Sequence, residues 1–363
     1  MVILNLTNCS NPKLYRGSVN FQQYLVVTLI AIISVLGFIL NMAVFVLIVK
    51  VKSLKTVPNL LIANLAIADI SYLFGHVLTN IPNILLSTFI GGYFLCKLQM
   101  FTRYATLGGS IFTLTVMAID RFTAIVLPLN HQSSYWRSKK FVSVVIISIW
   151  LVAILITLPV VYVTEIIQPT IPYNKSCLTT TLCIFRKESV LQAYRAVIWI
   201  QFGIYFFFPF IIICICYITI ALKLETQETS GTVQICSSRS INKRKKLSKI
   251  VLAFIIIFVI CRLPDQLNTI IIHISQYSHY FLLVTAQFLT YVHPLLNPLT
   301  LLMLSALFRY HLFHLFRSTR YDRSIHSNSY VPKSKMYCIE KKKEKCTTNS
   351  DTILNNEEMH SCL

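Results

Sequence analysis

Tyr24 to Val49 reads YLVVTLIAIISVLGFILNMAVFVLIV, 26 residues without one charged side chain. As a helix rising ~1.5 Å per residue the stretch is about 39 Å long, against a bilayer hydrocarbon core of ~30 Å. It spans with room to tilt. Six more apolar stretches follow, Val57 to Leu86, Tyr93 to Val126, Phe141 to Val163, Ala196 to Leu224, Leu247 to His273 and Phe281 to Leu304. The whole chain of 363 residues is 55% hydrophobic and 13% charged, with a mean hydropathy of +0.65. That leaves too little charge to coat a soluble surface, which excludes a soluble enzyme, and too much apolar material for disorder over the first three hundred residues. The reading is an all-α fold, a seven-transmembrane helix bundle with its termini on opposite sides. No internal repeat of the transporter kind is visible.

The net charge of +20 would suggest nucleic acid in a soluble protein, but its distribution argues otherwise. Lys and Arg gather three in the first connection, four in the third, seven in the fifth and ten in the tail. Charge in alternate loops marks the cytoplasmic side and predicts an extracellular N-terminus, not a nucleic-acid face. Two features agree with this orientation. Glycosylation sequons at Asn5, Asn8 and Asn174 all fall in predicted outside segments, and four of the eleven cysteines, Cys9, Cys96, Cys177 and Cys183, lie where disulfides persist.

Charged residues inside the spans carry the function. Asp69 sits mid-span in Asn64-Leu65-Ala66-Ile67-Ala68-Asp69, where a carboxylate is either a protonated structural acid or a group with a partner or an ion. Asp120-Arg121-Phe122 closes the third span, and Arg262 and Asp265 stand three apart on the sixth, a spacing suited to an internal ion pair. His76, Asp69 and His293 do not form a metal-ligand set by spacing, which leaves an intramembrane hydrolase unsupported.

In order and spacing, Gly37, Asn41, Val44, Leu65 to Asp69, Cys96, Ser110, Asp120-Arg121-Phe122, Trp150, Phe206, Pro209, Tyr217, Phe258, Cys261, Pro264 and Asn297-Pro298 resemble the rhodopsin-like G-protein-coupled receptors. The likeness covers about Tyr24 to Phe316. Ser110 to Leu114 and the Thr-rich second outside loop resemble the peptide receptors near galanin, allatostatin and somatostatin receptors. Arg103 stands where amine receptors carry Asp, and the seventh span has no lysine to attach retinal.

The resemblance implies a non-enzymatic receptor in the plasma membrane that binds an extracellular ligand, a neuropeptide, and activates heterotrimeric G proteins. Its ligand site would draw on Arg103, Arg262, Asp265, Gln266 and Tyr291. With Arg262 and Asp265 paired to each other, Arg103 is the cation left for an acidic group of the ligand; the other reading ties Arg103 to Glu165 or Glu188. Asp120, Arg121 and Tyr217 would serve G-protein coupling, with Pro264 as the hinge of span six. No cofactor is expected beyond a sodium ion as negative modulator, held by Asp69, Ser110 and Asn297, with His293 one turn away as a protonation-dependent competitor. A disulfide from Cys96 to the second outside loop is implied. Cys183 is preferred to Cys177, because it lies 26 residues before Pro209, near the spacing in the peptide receptors.

Three departures bear on mechanism: Cys261-Arg262-Leu263-Pro264 where the family has Cys-Trp-x-Pro, Leu301 where it has Tyr, and His293-Pro294 where a small polar pair is usual. Leu301 cannot make a water-bridged hydroxyl link, which motivates an alternative of a receptor with weak or no G-protein coupling, a decoy or one dependent on a partner; a transporter is distant. The resulting organisation is an extracellular segment 1–23, the bundle 24–304, an amphipathic eighth helix 305–317 and a disordered tail 318–363. Leu312, Phe313 and Phe316 of the eighth helix would lie in the membrane interface. The tail suggests phosphorylation, arrestin, anionic lipids at Lys341-Lys342-Lys343-Glu344-Lys345, palmitoylation at Cys338 or Cys346, and a PDZ-domain protein at Ser361-Cys362-Leu363.

Overall fold

Two faces of bare apolar side chains tell where lipid belongs. On helix α4 (Lys139–Val163) Val144, Ile147, Leu151, Leu155 and Leu158 recur every three or four residues and are all exposed. Helix α5 (Leu191–Phe202, a wide turn Gly203–Phe207, then Phe208–Thr229) leaves Phe208, Ile211, Ile215, Ile218 and Leu222 exposed in the same way. Water does not tolerate such stripes, so these helices face hydrocarbon outward and protein inward. The computed structural model describes residues 13–14, 21–86, 88–127, 138–168, 170–173, 176–185, 191–229, 235–275 and 280–317. Within these the remaining helices are α1 (Phe21–Lys50), α2 (Val57–Tyr72, continuing through a wide turn Leu73–Val77 into Leu78–Leu86), α3 (Gly92–Ile125), α6 (Ile235–Ser275), α7 (Tyr280–Leu304) and α8 (Ala306–Arg317).

Five described helices are long and apolar enough by themselves to cross a membrane, and α7 joins them when taken with α8 across a 101° bend. Helix α3 is not among them: its middle is diluted by Gly108, Gly109, Ser110 and threonines, and it is flanked by Lys97, Arg103, Asp120 and Arg121. It can afford them, since every residue from Tyr104 to Ile111 is buried and the helix meets protein on all sides at its middle. Close approach makes this possible. A Cβ on Gly75 would lie 2.5 Å from the Thr102 side chain, and one on Gly108 would lie 2.9 Å from both Ala153 and Tyr205. Small residues at such crossings are how helices pack where lipid supplies no hydrophobic drive.

Polar ties fix the helices in register. Asn41 donates to the carbonyls of Gly37 (2.8 Å) and Pro294 (2.6 Å), joining α1 to α7. Asn64 donates to Thr113 Oγ1 at 2.7 Å and accepts from the Trp150 indole at 2.9 Å, which links α2, α3 and α4. At the far end of α7, Arg309 donates to the free carbonyls of Leu302 (2.8 Å) and Met303 (2.6 Å), closing the helix where α8 turns away. Phe308 of α8 is buried and Leu312 packs against the core, while Phe313 is exposed; of the three residues read as interfacial, Leu312 thus faces the bundle, and the side chain of Phe316 lies outside the described residues.

The bundle is all-α, but its other end bears five short strands that the sequence reading did not contain: β1 (Lys13–Leu14), β2 (Thr164–Ile167), β3 (Thr170–Tyr173), β4 (Ser176–Thr179) and β5 (Leu182–Phe185). Strands β2 and β5 pair antiparallel, as do β3 and β4, and β1 adds to β4 in parallel. Three-residue to four-residue runs rich in Thr and Ile were the available signal. Lys97 anchors this end: its Nζ donates to the carbonyls of Val161 and, at 2.6 Å, Thr164, so a cation caps the C-terminal end of α4.

Candidate functional site

The strand end of the bundle holds a buried polar cluster contributed by α2, α3, α6 and α7. Asp69, Tyr72, His76 and Asn80 are spaced three, four and four apart, which puts them on one face of α2. The His76 ring lies between Tyr72 (5.1 Å) and Tyr291 (6.4 Å), and its Nδ1 is 3.4 Å from the Gln99 carbonyl. Gln99 donates to Asn80 Oδ1 at 2.8 Å, Asn80 donates to the Tyr291 hydroxyl at 2.6 Å, and the Tyr72 hydroxyl donates to Thr290 at 3.3 Å. Of these, only Tyr291 was named as a ligand-site residue from sequence. The three-four-four spacing on span two was the signal that could have found the others.

The charges within this cluster pair differently from the expectation. Arg103 Nη2 donates to Asp265 Oδ2 at 2.5 Å, joining α3 to α6, with the Arg103 side chain 20% and the Asp265 side chain 8% exposed. Arg103 is therefore held neither by Glu165 nor left free, and Asp265 is not the partner of Arg262. Residues three apart on one helix can meet, but here the carboxylate is taken by a guanidinium nitrogen arriving from the facing helix. Arg262 instead lies over the Tyr72 ring, 4.3 Å from Cζ to centroid, is 4% exposed and leaves its Nε without a hydrogen-bond partner. Gln266 is buried beside Asp265 in the sequence.

One turn deeper, Asn297 donates to Asp69 Oδ2 at 2.7 Å, and His293 Nδ1 lies 3.6 Å from Asp69 Oδ1. A small cavity of about 10 Å³, close to the lower limit for one water, is bordered by Asn41, Asp69, Phe254, Asn297 and Leu301 among others. Asp69 Oδ1 and Asn297 Oδ1 have no hydrogen-bond partner. Two such oxygens fit a hard cation in kind. Ser110 is buried but does not border this cavity, and neither does Arg262.

At the opposite end, Arg121 is 5% exposed and pairs with its neighbour Asp120 through both Nε (3.1 Å) and Nη2. The Tyr217 hydroxyl donates to the Ser248 carbonyl at 3.1 Å and holds α5 to α6. Leu301 is 1% exposed within the apolar core, and α6 runs unbroken through Pro264. Among the described residues no group of three or more His, Cys, Asp or Glu could hold a metal ion.

Cys96 and Cys183 form a disulfide, which ties the start of α3 to β5. Peptide mapping of the unreduced protein is expected to recover Cys96 joined to Cys183; recovery of Cys96 only with Cys177 would reverse the assignment. The sequons at Asn5, Asn8 and Asn174, together with Cys9, Arg186, Lys187, Glu188 and the tail, lie outside the described residues.

Comparison with known proteins gives this arrangement a family. The chain is 29% identical over 308 residues to the Neuropeptide CCHamide-1 receptor of Drosophila melanogaster, covering 80% of this chain and 60% of that one. It is 27% identical over 297 residues to Bombesin receptor subtype-3 of Ovis aries, covering 79% and 73%. Somatostatin receptor type 5 of Rattus norvegicus is 28% identical over 295 residues, covering 79% and 76%. The somatostatin side of the sequence resemblance is thus found, beside bombesin and CCHamide receptors. Residues 40–300 match the family described as 7 transmembrane receptor (rhodopsin family), and this multi-pass membrane chain belongs to that family of receptors, not to the enzymes.

Proposed function

We propose that the chain is a plasma-membrane receptor with an extracellular N-terminus, that its ligand is a peptide bearing an acidic group, and that ligand binding activates a heterotrimeric G protein. The observation that carries this reading is the Arg103–Asp265 pair. It joins α3 to α6 within a polar cluster, and its guanidinium is the more accessible partner. A ligand carboxylate that takes over Arg103 releases α6 from α3 at the strand end. The relatives support the peptide class, since one is named for a neuropeptide and the others for bombesin and somatostatin. The Asp120–Arg121 pair at the other end supports G-protein coupling, with α6 swinging about Pro264 to admit the G protein. Arrestin, anionic lipid at Lys341-Lys342-Lys343-Glu344-Lys345 and a PDZ-domain protein at Ser361-Cys362-Leu363 complete the proposed partners.

The test is a secreted-peptide library applied to cells that express the chain, read with a dissociation reporter for each G-protein class. At least one acidic peptide is expected to give a response that disappears when its acid is amidated. A receptor that reaches the surface and leaves every G-protein class silent across the library sinks the proposal.

A further inference from the structure

Arg262 stands where the family pattern carries Trp, and it is a cation 4% exposed with an Nε that has no acceptor. It takes part in no ion pair among the described residues, because Asp265, three residues on, is taken by Arg103. A buried guanidinium without an anion is costly, so the surroundings must supply one. Tyr72, on whose ring Arg262 rests, lies one turn along α2 from Asp69, on the same face. Asp69 Oδ1 is itself a buried acceptor without a donor. The same space is closed from α6 and α7, where Phe258, one turn from Arg262, packs edge-on against the His293 ring at 5.6 Å, and His293 reaches Asp69. One orphaned donor and one orphaned carboxylate oxygen are thus buried on either side of Tyr72, without a direct ion pair between them.

We propose that Arg262 is the resident counter-cation of Asp69. The guanidinium neutralises the inner carboxylate from within the chain, across the turn or through a bridging water and without direct contact, and excludes a metal cation from the cavity at Asp69. The cavity beside Asp69 has space for about one water and is not bordered by Arg262, so the guanidinium would disfavour a second cation there through its charge and not by filling the space. In this receptor the inactive packing of α2, α6 and α7 is then built with a covalent part of α6, so movement of α6 carries the cation with it. The reading does not depend on the ligand being a peptide.

The test uses the purified full-length chain in nanodiscs, with thermal unfolding followed while sodium replaces choline at constant ionic strength. The unaltered protein is expected to unfold at one temperature whatever the sodium level. Arg262→Gln and Arg262→Trp are expected to gain sodium-dependent stabilisation of about 2 °C or more at roughly 150 mM, as for any ligand that binds the folded state alone. Adding Asp69→Asn to either should remove that gain, and Arg262→Lys, which keeps a cation, should not show it. His293→Asn alone should remain insensitive. Sodium stabilisation of the unaltered protein, a measurement that needs no variant to fold, overturns the proposal, as does a gain in His293→Asn equal to that in Arg262→Gln, or no gain in folded Arg262→Gln and Arg262→Trp. None of these readings involves an agonist or a G protein, so they fail or succeed separately from the proposed function.

Discussion

Arg121→Ala is expected to abolish agonist-driven nucleotide exchange on the G protein while agonist binding stays largely intact. The guanidinium lies at the end of the bundle opposite the strands, far from the cluster around Arg103, and it is buried and forked onto Asp120. Its removal takes away the cation that a G-protein helix would meet once α6 moves out, without touching the ligand side. The counterpart is Asp120→Asn. Hydrogen bonds to charged partners contribute about 1.5–3 kcal/mol each, and the Asp120–Arg121 pair is largely withdrawn from water, with side chains 15% and 6% exposed. Neutralising Asp120 weakens the closed state by that order, enough to raise basal exchange about tenfold. Nucleotide exchange on purified G protein, with and without agonist, checks both. Full signalling by Arg121→Ala would falsify the coupling role.

Arg103→Ala is expected to weaken the agonist by ~2 kcal/mol or more, the usual scale for truncating a desolvated charge partner. Because Arg103 is held by Asp265, the two positions must be read together. Asp265→Asn keeps the volume and removes the competing carboxylate, so an acidic agonist gains affinity. Amidating the agonist's acid should then cancel the gain and cause no further loss in Arg103→Ala. In the agonist-free protein the pair behaves as a structural link, and the double change lowers thermal stability by less than the two single changes added together. Additive losses from Arg103→Ala and agonist amidation would assign Arg103 to holding α3 and α6 together and nothing more. Radioligand competition with the acid and amide forms of one peptide measures every arm.

The bundle was legible because lipid imposes its own arithmetic: a run such as Tyr24 to Val49 has one reading, and the basic residues sort the loops. Asn41 and Trp150 were legible for a related reason, since they make the inter-helix ties that a polar group inside a membrane must find. What spacing could not supply was the choice among partners. Asp265 had Arg262 three residues away, a spacing that allows that pair without requiring it. Only the packing of α3 against α6 brings Arg103 to 2.5 Å and leaves Arg262 to Tyr72. Ser110 fell away from the small cavity for the same reason, as a helix face read from sequence does not say which neighbour fills the space before it. The strands were missed because Thr164 to Phe185 was read as a loop between spans, although its β-branched runs could have been weighed as strands.

Two adjacent residues, Cys96 and Lys97, fasten the strand end by unlike chemistry. The thiol of one is bonded to Cys183 on β5, whereas the ammonium of the other holds the carbonyls that end α4 and begin β2. A reductant cuts only the first of these. High salt or acetylation of the lysine bears only on the second. The β2–β5 hairpin is thus fastened twice at a single point on α3, and because β2 and β5 are laddered together, loss of either fastening alone leaves the hairpin attached through the other.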